Sequence, residues 1–303
     1  MYEQHLPSPQ PIPNHSDSSL QEALEDFYLS RRGTRCTPST LQHYRYSAGI
    51  FVTWLQARGV TDPKDVRASH VYEWLAQDAD RLKDTALHAR ARGVKTFLRF
   101  LHFDRKVMPE LVRFKMPRLE KRRLPCLEPD QVRELLRISN ARQKAIIHLL
   151  SDSGVRAAEL CNLNWGDLNP QTGQLFVRRG KGRKDRMTAV CPMTIRVLLA
   201  YRRTLKQPPT PDSPMIRGRG SQRLTPDWLS HLMRRLGMSV GIHVTPHMLR
   251  RTFALMSLRS GMDLRSLQGL MGHSTIEMTA HYAQLLDADL LSAHAAHGLD
   301  AWL

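Results

Sequence analysis

The second half of the chain carries a set of residues whose types suit the chemistry of a phosphate ester. The set consists of Arg156, Lys181, His247, Arg250, His273 and Tyr282. A guanidinium presents planar donors that match two phosphate oxygens at once. Lysine and histidine can transfer protons, and a tyrosine phenolate can attack phosphorus. None of these residues is decisive alone, so the interpretation depends on their ordered combination.

The spacing of the set indicates how its members would share a transesterification. His247 and Arg250 stand three apart on a predicted helix, so both can reach one anion. Arg156 begins another predicted helix. Lys181 lies between two glycines at a predicted hairpin tip, where it could protonate a leaving hydroxyl. No carboxylate cluster accompanies these residues, so we expect neither a metal nor another cofactor.

Each of these residues also has an ordinary structural explanation. Arg156 close to Glu159 is typical of a structural ion pair, and a lysine in a basic turn is usually just solvated. His247 could simply begin a helix, while His273 and Tyr282 could fill a core. The joint order of the set favours chemistry over these separate explanations.

The elements that must position this set are helices and a small sheet. Residues 140–153 predict a buried helix, and residues 174–190 predict a hairpin with glycines at its turn. A Thr-Pro pair at the head of 245–261 is typical of an N-cap followed by the first helical residue. A Ser and a Glu three apart indicate a short helix over 274–282.

The first half is predicted to be helical over 19–106. Ser19 with Glu22 forms a capping-box pattern. Thr37 is predicted to be the N-cap of a second helix, and Ser69 to be the start of a third. The segment 85–102 has an apolar stripe on one face and cations on the other.

Composition indicates a polyanionic partner. The 303 residues include 45 Lys+Arg against 28 Asp+Glu, a formal net charge of +17. Nucleic acid is the commonest partner of so basic a chain, and a membrane surface is the alternative, although no apolar run is long enough to span a bilayer. Four scattered cysteines and an N-terminus without an apolar h-region predict a cytoplasmic protein without disulfides.

Two basic stretches are candidates for contact with such a polyanion. The cationic face of 85–102 would bind DNA, or would be merely a solvated face. The segment 108–130 combines repeated prolines with many cations, which predicts an interdomain linker lying along a phosphate backbone, or a flexible charged tether.

Four boxes in the chain together resemble the tyrosine recombinase family (phage integrase and Xer proteins). SGVRAAEL over 153–160 is similar to the first arginine box, and GKGRKDR over 180–186 to the lysine hairpin. TPHMLRRTFA over 245–254 resembles the second arginine box. LMGHS over 270–274, followed by Tyr282, resembles the third histidine and the nucleophile. The likeness covers about residues 19–290.

The resemblance implies how the phosphate is held. Arg156 and Arg250 would clamp the scissile phosphate, and His273 would hydrogen-bond it. Glu159 stands where the family places an acidic residue that steadies the first arginine.

The resemblance also implies how the strand is cut. Tyr282 would form a 3′-phosphotyrosyl link, Lys181 would be the general acid, and His247 would assist proton transfer. Because that link conserves the energy of the broken bond, strand exchange would need neither ATP nor a metal.

The implied fold is mainly α (α+β), with a SAM-like N-terminal helical core-binding domain and a C-terminal mixed helical catalytic domain with a small antiparallel sheet. We expect a disordered lead-in over 1–18, the first domain over 19–107, a basic linker over 108–128 and the catalytic domain over 129–303. The residues expected to bind DNA are Arg92, Lys95, Arg99, Lys121, Arg122, Arg123, Arg183 and Lys184.

The partners implied are double-stranded DNA with a specific recombination site and further copies of the chain, as a tetramer on two duplexes. The last segment, 287–303, would dock on a neighbouring protomer or pack on its own domain. The protein would be cytoplasmic and associated with the nucleoid, with no membrane partner.

Two other functions remain open at this point. A type IB topoisomerase shares the nucleophile, the lysine and the arginines, but His247 argues against it because that class typically carries a different residue there. A catalytically silent DNA-binding accessory protein would keep the fold and lose the chemistry.

Overall fold

Helices form most of the described chain, which divides into two units, Met1–Arg122 and Arg123–Leu303. The computed structural model describes residues 19–105, 113–119, 125–178, 185–218, 222–273, 275–276 and 279–280. Within these ranges, the helices are too short or too polar to cross a lipid bilayer.

The described part of the first unit contains five α-helices. They are α1 (Leu20–Gly33), α2 (Pro38–Tyr44), α3 (Ile50–Gln56), α4 (Ala68–Ala76) and α5 (Asp84–Arg105). A π-helical segment, Arg45–Gly49, joins α2 to α3 without a break, and a 3-10 turn lies at Pro63–Asp65. The core is rich in aromatic rings, with Phe27 in edge contact with Phe97.

Local sequence signals explain most of these helix starts. The Ser19 N–H donates to Glu22 over 2.9 Å while the Ser19 hydroxyl accepts from the Glu22 N–H, which confirms the capping box. Thr37 caps α2 as predicted. The helix predicted to start at Ser69 is present as α4 and begins one residue earlier, at Ala68. Arg67 is the N-cap, and its N–H donates to His70 Nδ1 over 3.2 Å.

The second unit contains seven α-helices and a two-stranded antiparallel sheet in its described part. The elements are α6 (Pro129–Ile138), α7 (Ala141–Asp152), α8 (Ala157–Asn162), β1 (Gln174–Val177), β2 (Arg186–Ala189), α9 (Pro192–Arg203), α10 (Pro226–Ser239), α11 (Pro246–Arg259) and α12 (Leu264–Met271). The predicted fold class is confirmed: mainly helical, with one small antiparallel sheet.

The core of the second unit lies around α7, which is predicted correctly as a buried helix. Asn140 caps it, and Gly154, with φ +62°, follows its end. A Cβ at Gly154 would lie 2.5 Å from Phe253 Cδ1, so only glycine fits this turn. The Thr188 hydroxyl donates to the Ser153 carbonyl over 2.9 Å, which ties β2 to the end of α7. The turn therefore holds Arg156 close to the sheet.

The described ends of the predicted linker 108–128 are attached to the two units separately. Phe114 is buried in the core of the first unit, and the Lys115 N–H donates to Tyr72 Oη over 2.8 Å. Leu127 is buried in the core of the second unit, where its N–H donates to Thr252 Oγ1. The domain boundaries and a path of this segment along DNA remain proposals.

Candidate active site

Glu159 is the centre of a buried charge network in the second unit. Its side chain is 5% exposed. Oε1 accepts from Arg156 Nη1 at 2.7 Å and from Arg186 Nη1 at 2.9 Å. Oε2 accepts from Arg186 Nη2 at 2.9 Å and from the Arg156 N–H at 2.8 Å. Arg250 Nη1 lies 4.0 Å from Oε2, so three guanidiniums surround one carboxylate.

The surrounding donors keep Glu159 ionised. Burial alone raises the pKa of this carboxyl, because a charge loses its water shell. Hydrogen bonds from Arg186 and Arg156 outweigh that effect and bring the pKa down to about 2. One negative charge against three positive charges leaves an excess of positive charge, which suits an anionic group of a substrate.

Three successive carbonyls at the end of α12 each accept from a different guanidinium. Arg186 Nε donates to Leu270 O over 3.1 Å, and Arg250 Nη2 donates to Met271 O over 2.8 Å. Arg156 Nη2 donates to Gly272 O over 3.2 Å. A helix leaves its last carbonyls without internal partners, and the helix dipole makes that end negative. The three cations thus fix the end of α12 just before His273.

The two predicted phosphate ligands differ in exposure. The side chain of Arg156 is 23% exposed, whereas that of Arg250 is 1% exposed. Arg250 Nη1 also donates to the Gly154 carbonyl, at the turn before α8. The site therefore presents Arg156 to solvent, whereas Arg250 is buried beside Glu159.

His273 lies against Arg250. Its Nε2 is 3.1 Å from Arg250 Nη2, and its Nδ1 is 2.9 Å from Thr279 Oγ1. Burial, followed by the charges of Arg250, Arg156 and other neighbours, lowers the pKa of His273 to about 4. At neutral pH the ring is uncharged.

His247 belongs to the same region although its side chain is exposed. It stands in the first turn of α11, where Thr245 is the N-cap, as predicted. Burial of part of the ring, followed by repulsion from Arg251, Arg250 and Arg156, lowers the pKa of His247 to about 4. The imidazole is therefore uncharged at neutral pH, with one ring nitrogen that carries no proton and acts as a hydrogen-bond acceptor.

The remaining members of the predicted set lie outside the described residues. These are Lys181, Tyr282, Lys121, Arg122, Arg123, Arg183 and Lys184. The predicted capping box at 274–277 and the terminal segment 287–303 also lie outside them. The structure brings together Arg156, Glu159, Arg250 and His273, with His247 at the edge.

The predicted basic face of α5 is only partly free. Arg92 and Arg99 are exposed. Lys95 is half-buried: its Nζ lies 3.4 Å from the Phe114 carbonyl and 5.2 Å from the centre of the Phe114 ring. Phe114 therefore covers part of Lys95, and the prediction that Lys95 binds DNA with the two arginines stays a prediction.

Sequence reasoning missed Arg186. It lies in the segment that resembles the lysine hairpin, where the sequence predicts no role for it, yet it donates both terminal nitrogens to Glu159. No sequence signal marked this role, because along β2 the polar Arg186 and Thr188 share the inner face while the apolar Met187 and Ala189 are exposed, the reverse of what their polarity predicts.

The chain matches the model of the phage integrase family over residues 125–289. It is 33% identical to the tyrosine recombinase XerA of Pyrococcus furiosus over 282 residues, which cover 90% of this chain and 92% of that protein.

Solved structures share the fold. A crystal structure of XerA recombinase is 26% identical with a TM-score of 0.52, covering 91% of this chain and 98% of that one. The Tn1549 transposon integrase in complex with transposon right end DNA is 18% identical with a TM-score of 0.73, covering 94% of this chain and all of that one.

Proposed function

The chain belongs to the phage integrase family and is a tyrosine recombinase, and we propose that it cuts and rejoins DNA at a specific site through a 3′-phosphotyrosyl intermediate, without metal or ATP. The single observation that carries this proposal is the convergence of Arg156 and Arg250 on the loop that bears His273. An excess of guanidinium charge beside a neutral imidazole suits a pentacoordinate phosphate, whose negative charge grows during attack.

Tyr282 is the proposed nucleophile. Its phenol oxygen attacks the scissile phosphorus, and the bond from phosphorus to the 5′ oxygen breaks. His247 takes up the phenol proton once the bound phosphate anion has raised the pKa of its imidazole. Lys181 donates a proton to the departing 5′ oxygen. The phosphate ester energy stays in the phosphotyrosyl bond, so a 5′ hydroxyl from a second duplex can reverse the step and join a new strand.

Arg156 and Arg250 are proposed to hold the non-bridging oxygens of that phosphate. Arg156 is the more open of the two, and a direct contact by Arg250 requires the atoms that cover it to move aside. His273 donates a hydrogen bond to the phosphate once the anion favours its protonated form. Together these groups supply the charge that a metal ion supplies in other nucleases.

The proposed partner is double-stranded DNA, bound by a tetramer that spans two duplexes. The exposed Arg92 and Arg99 on α5 support phosphate contacts by the proposed core-binding domain, residues 19–107. The proposed catalytic domain, residues 129–303, contains the charge network. Because phosphate contacts release counterions, affinity falls steeply as salt is raised.

The test uses a duplex that the protein itself has selected from a random-sequence library. A nick next to the cleavage point lets the 5′ end diffuse away, which traps the covalent product. We expect wild type to form a protein–DNA adduct in EDTA without ATP, and Tyr282→Phe to bind equally and form none. An adduct with Tyr282→Phe, or a requirement for Mg²⁺, would overturn the proposal.

A further inference from the structure

Arg186 has no role in the proposed chemistry, yet it donates both terminal nitrogens to Glu159 and its Nε to the Leu270 carbonyl. We infer that Arg186 is a positioning residue for the proposed DNA cleavage. It fixes Glu159 and the end of α12, and so sets the positions of the residues that meet the phosphate. This inference rests on the proposed function.

The first step is the geometry of the Arg186–Glu159 pair. Nη1 and Nη2 donate to the two different carboxylate oxygens, each at 2.9 Å. Such a two-point pair fixes the plane and direction of the carboxylate, which a single ammonium cannot do. Arg156 uses one terminal nitrogen on Glu159, so its orientation depends on a carboxylate that Arg186 holds.

The second step is the link to α12. The third donor of Arg186, Nε, reaches the Leu270 carbonyl over 3.1 Å. His273 follows three residues after Leu270, so this bond also fixes the backbone that leads to His273. Since Arg186 is also the first residue of β2, a single side chain connects the sheet, the start of α8 and the end of α12.

The third step is the close packing of Gly272 on Arg186. A Cβ at Gly272 would lie 2.5 Å from Arg186 Cδ and 2.9 Å from Nε. Gly272 also has φ +63°, and its carbonyl is the acceptor for Arg156 Nη2. The backbone that receives Arg156 therefore rests directly on the Arg186 side chain.

The fourth step separates positioning from phosphate contact. The Arg186 side chain is 11% exposed, half the exposure of Arg156. All three of its nitrogens already donate to protein acceptors. A group so occupied acts on the phosphate through its neighbours.

The test compares Arg186→Lys with Arg178→Lys. Arg178, which follows β1, donates to the buried carboxylate of Asp167 over 2.8 Å and is the matched control on the same hairpin. We expect Arg186→Lys to slow adduct formation at saturating protein about 100-fold, because a displacement of about 1 Å at the reacting groups has an effect of that size. The affinity of this variant for DNA should stay within about threefold of wild type. Arg178→Lys should cleave like wild type. Equal rates for both variants would overturn the inference.

A double substitution tests whether Arg186 acts through Glu159. If it does, adding Arg186→Gln to Glu159→Gln slows cleavage less than about twofold further, because the pair acts as one unit. If the double variant instead shows the full product of the two single reductions in cleavage rate, the inference is contradicted.

A second readout does not depend on cleavage. The ¹⁵N signals of the His273 ring in the free protein report its tautomer and environment. We expect Arg186→Lys to shift them and Arg178→Lys to leave them unchanged. If wild type formed no adduct, the proposed function would fail while this comparison still decided the role of Arg186. Unchanged His273 signals in Arg186→Lys would overturn that role.

Discussion

Arg250 Nη2 lies 3.1 Å from His273 Nε2. A guanidinium can only donate, so Nε2 accepts and the ring proton sits on Nδ1. Nδ1 then donates to Thr279 Oγ1, 2.9 Å away. The imidazole is thus held neutral and in one tautomer by one residue on each side, ready to become a donor when an anion arrives.

Removing the Thr279 acceptor should release that tautomer. We expect Thr279→Val to slow adduct formation about fivefold, the effect of one lost hydrogen bond of about 1 kcal/mol. Single-turnover cleavage of the nicked duplex measures it. Thr275→Val, at an exposed threonine nearby, is the control. If both variants cleave equally fast, the orienting role of Thr279 is excluded.

Neutralising Glu159 should destabilise the second unit. Glu159→Gln leaves buried guanidiniums without their counter-charge, so we expect the free energy of unfolding to fall by about 3–5 kcal/mol. Urea denaturation followed by circular dichroism measures this loss. Glu134→Gln is the control, because its pair with Arg137 is exposed and contributes little. A loss no larger than that of the control contradicts a structural role for the network.

Acid should weaken the fold in a defined window. The pKa of His247 and of His273 is lowered from 6.5 to about 4, so the unfolded chain binds more protons between those pH values. The contribution of the two neutral histidines to the free energy of unfolding is therefore complete above pH 6.5, and it is lost as the pH drops from 6.5 to 4. Below pH 4.5 the unfolded chain also protonates Glu159, whose pKa in the folded protein is only about 2. The free energy of unfolding therefore falls further.

Denaturation midpoints at pH 7.5 and 5 test this linkage. We expect the midpoint to fall with acid, and the fall to be smaller in the variant with His247→Gln and His273→Gln. Part of the fall should persist, because burial also lowers the pKa of His148. A fall of undiminished size in the double variant would show that other groups are responsible.

The contact of Gly272 with Arg186 should matter beyond backbone strain. Gly272 and Gly261 both have positive φ, +63° and +86°, so alanine at either costs about 1 kcal/mol of stability. Only at Gly272 does the new Cβ meet a neighbour, since Gly261 has open space around it. We expect Gly272→Ala to slow cleavage at least tenfold, the effect of a displacement of a few tenths of an ångström at the reacting group. Gly261→Ala should cleave normally, and equal cleavage by both would exclude the contact.

Most helix starts could be predicted from sequence because their signals are local. Ser19 with Glu22, and Thr245 before a proline, lie within four residues of the groups they cap. The π-helical segment Arg45–Gly49 has no such local signal, and it packs closely against α5. There a Cβ at Gly93 would clash with the Ser47 side chain.

The candidate site was predictable in its residue types but not in its connections. The four boxes identified Arg156, Arg250 and His273, which the structure brings together. The Arg186–Glu159 pair spans 27 residues and depends on how β2 packs beside α8, which no local pattern records. The contact between Lys95 and Phe114 could not be predicted for the same reason, because the two residues are 19 positions apart in the sequence.

The most direct measurement identifies the residue that carries the DNA. No Lys or Arg follows Arg265, so trypsin releases residues 266–303 as one peptide, in which Tyr282 is the only tyrosine. After trapping on the nicked duplex, nuclease and trypsin digestion, we expect fragment masses to place a 3′-linked nucleotide on Tyr282. A nucleotide on any other residue, or an adduct whose DNA is joined through its 5′ phosphate, would contradict the account.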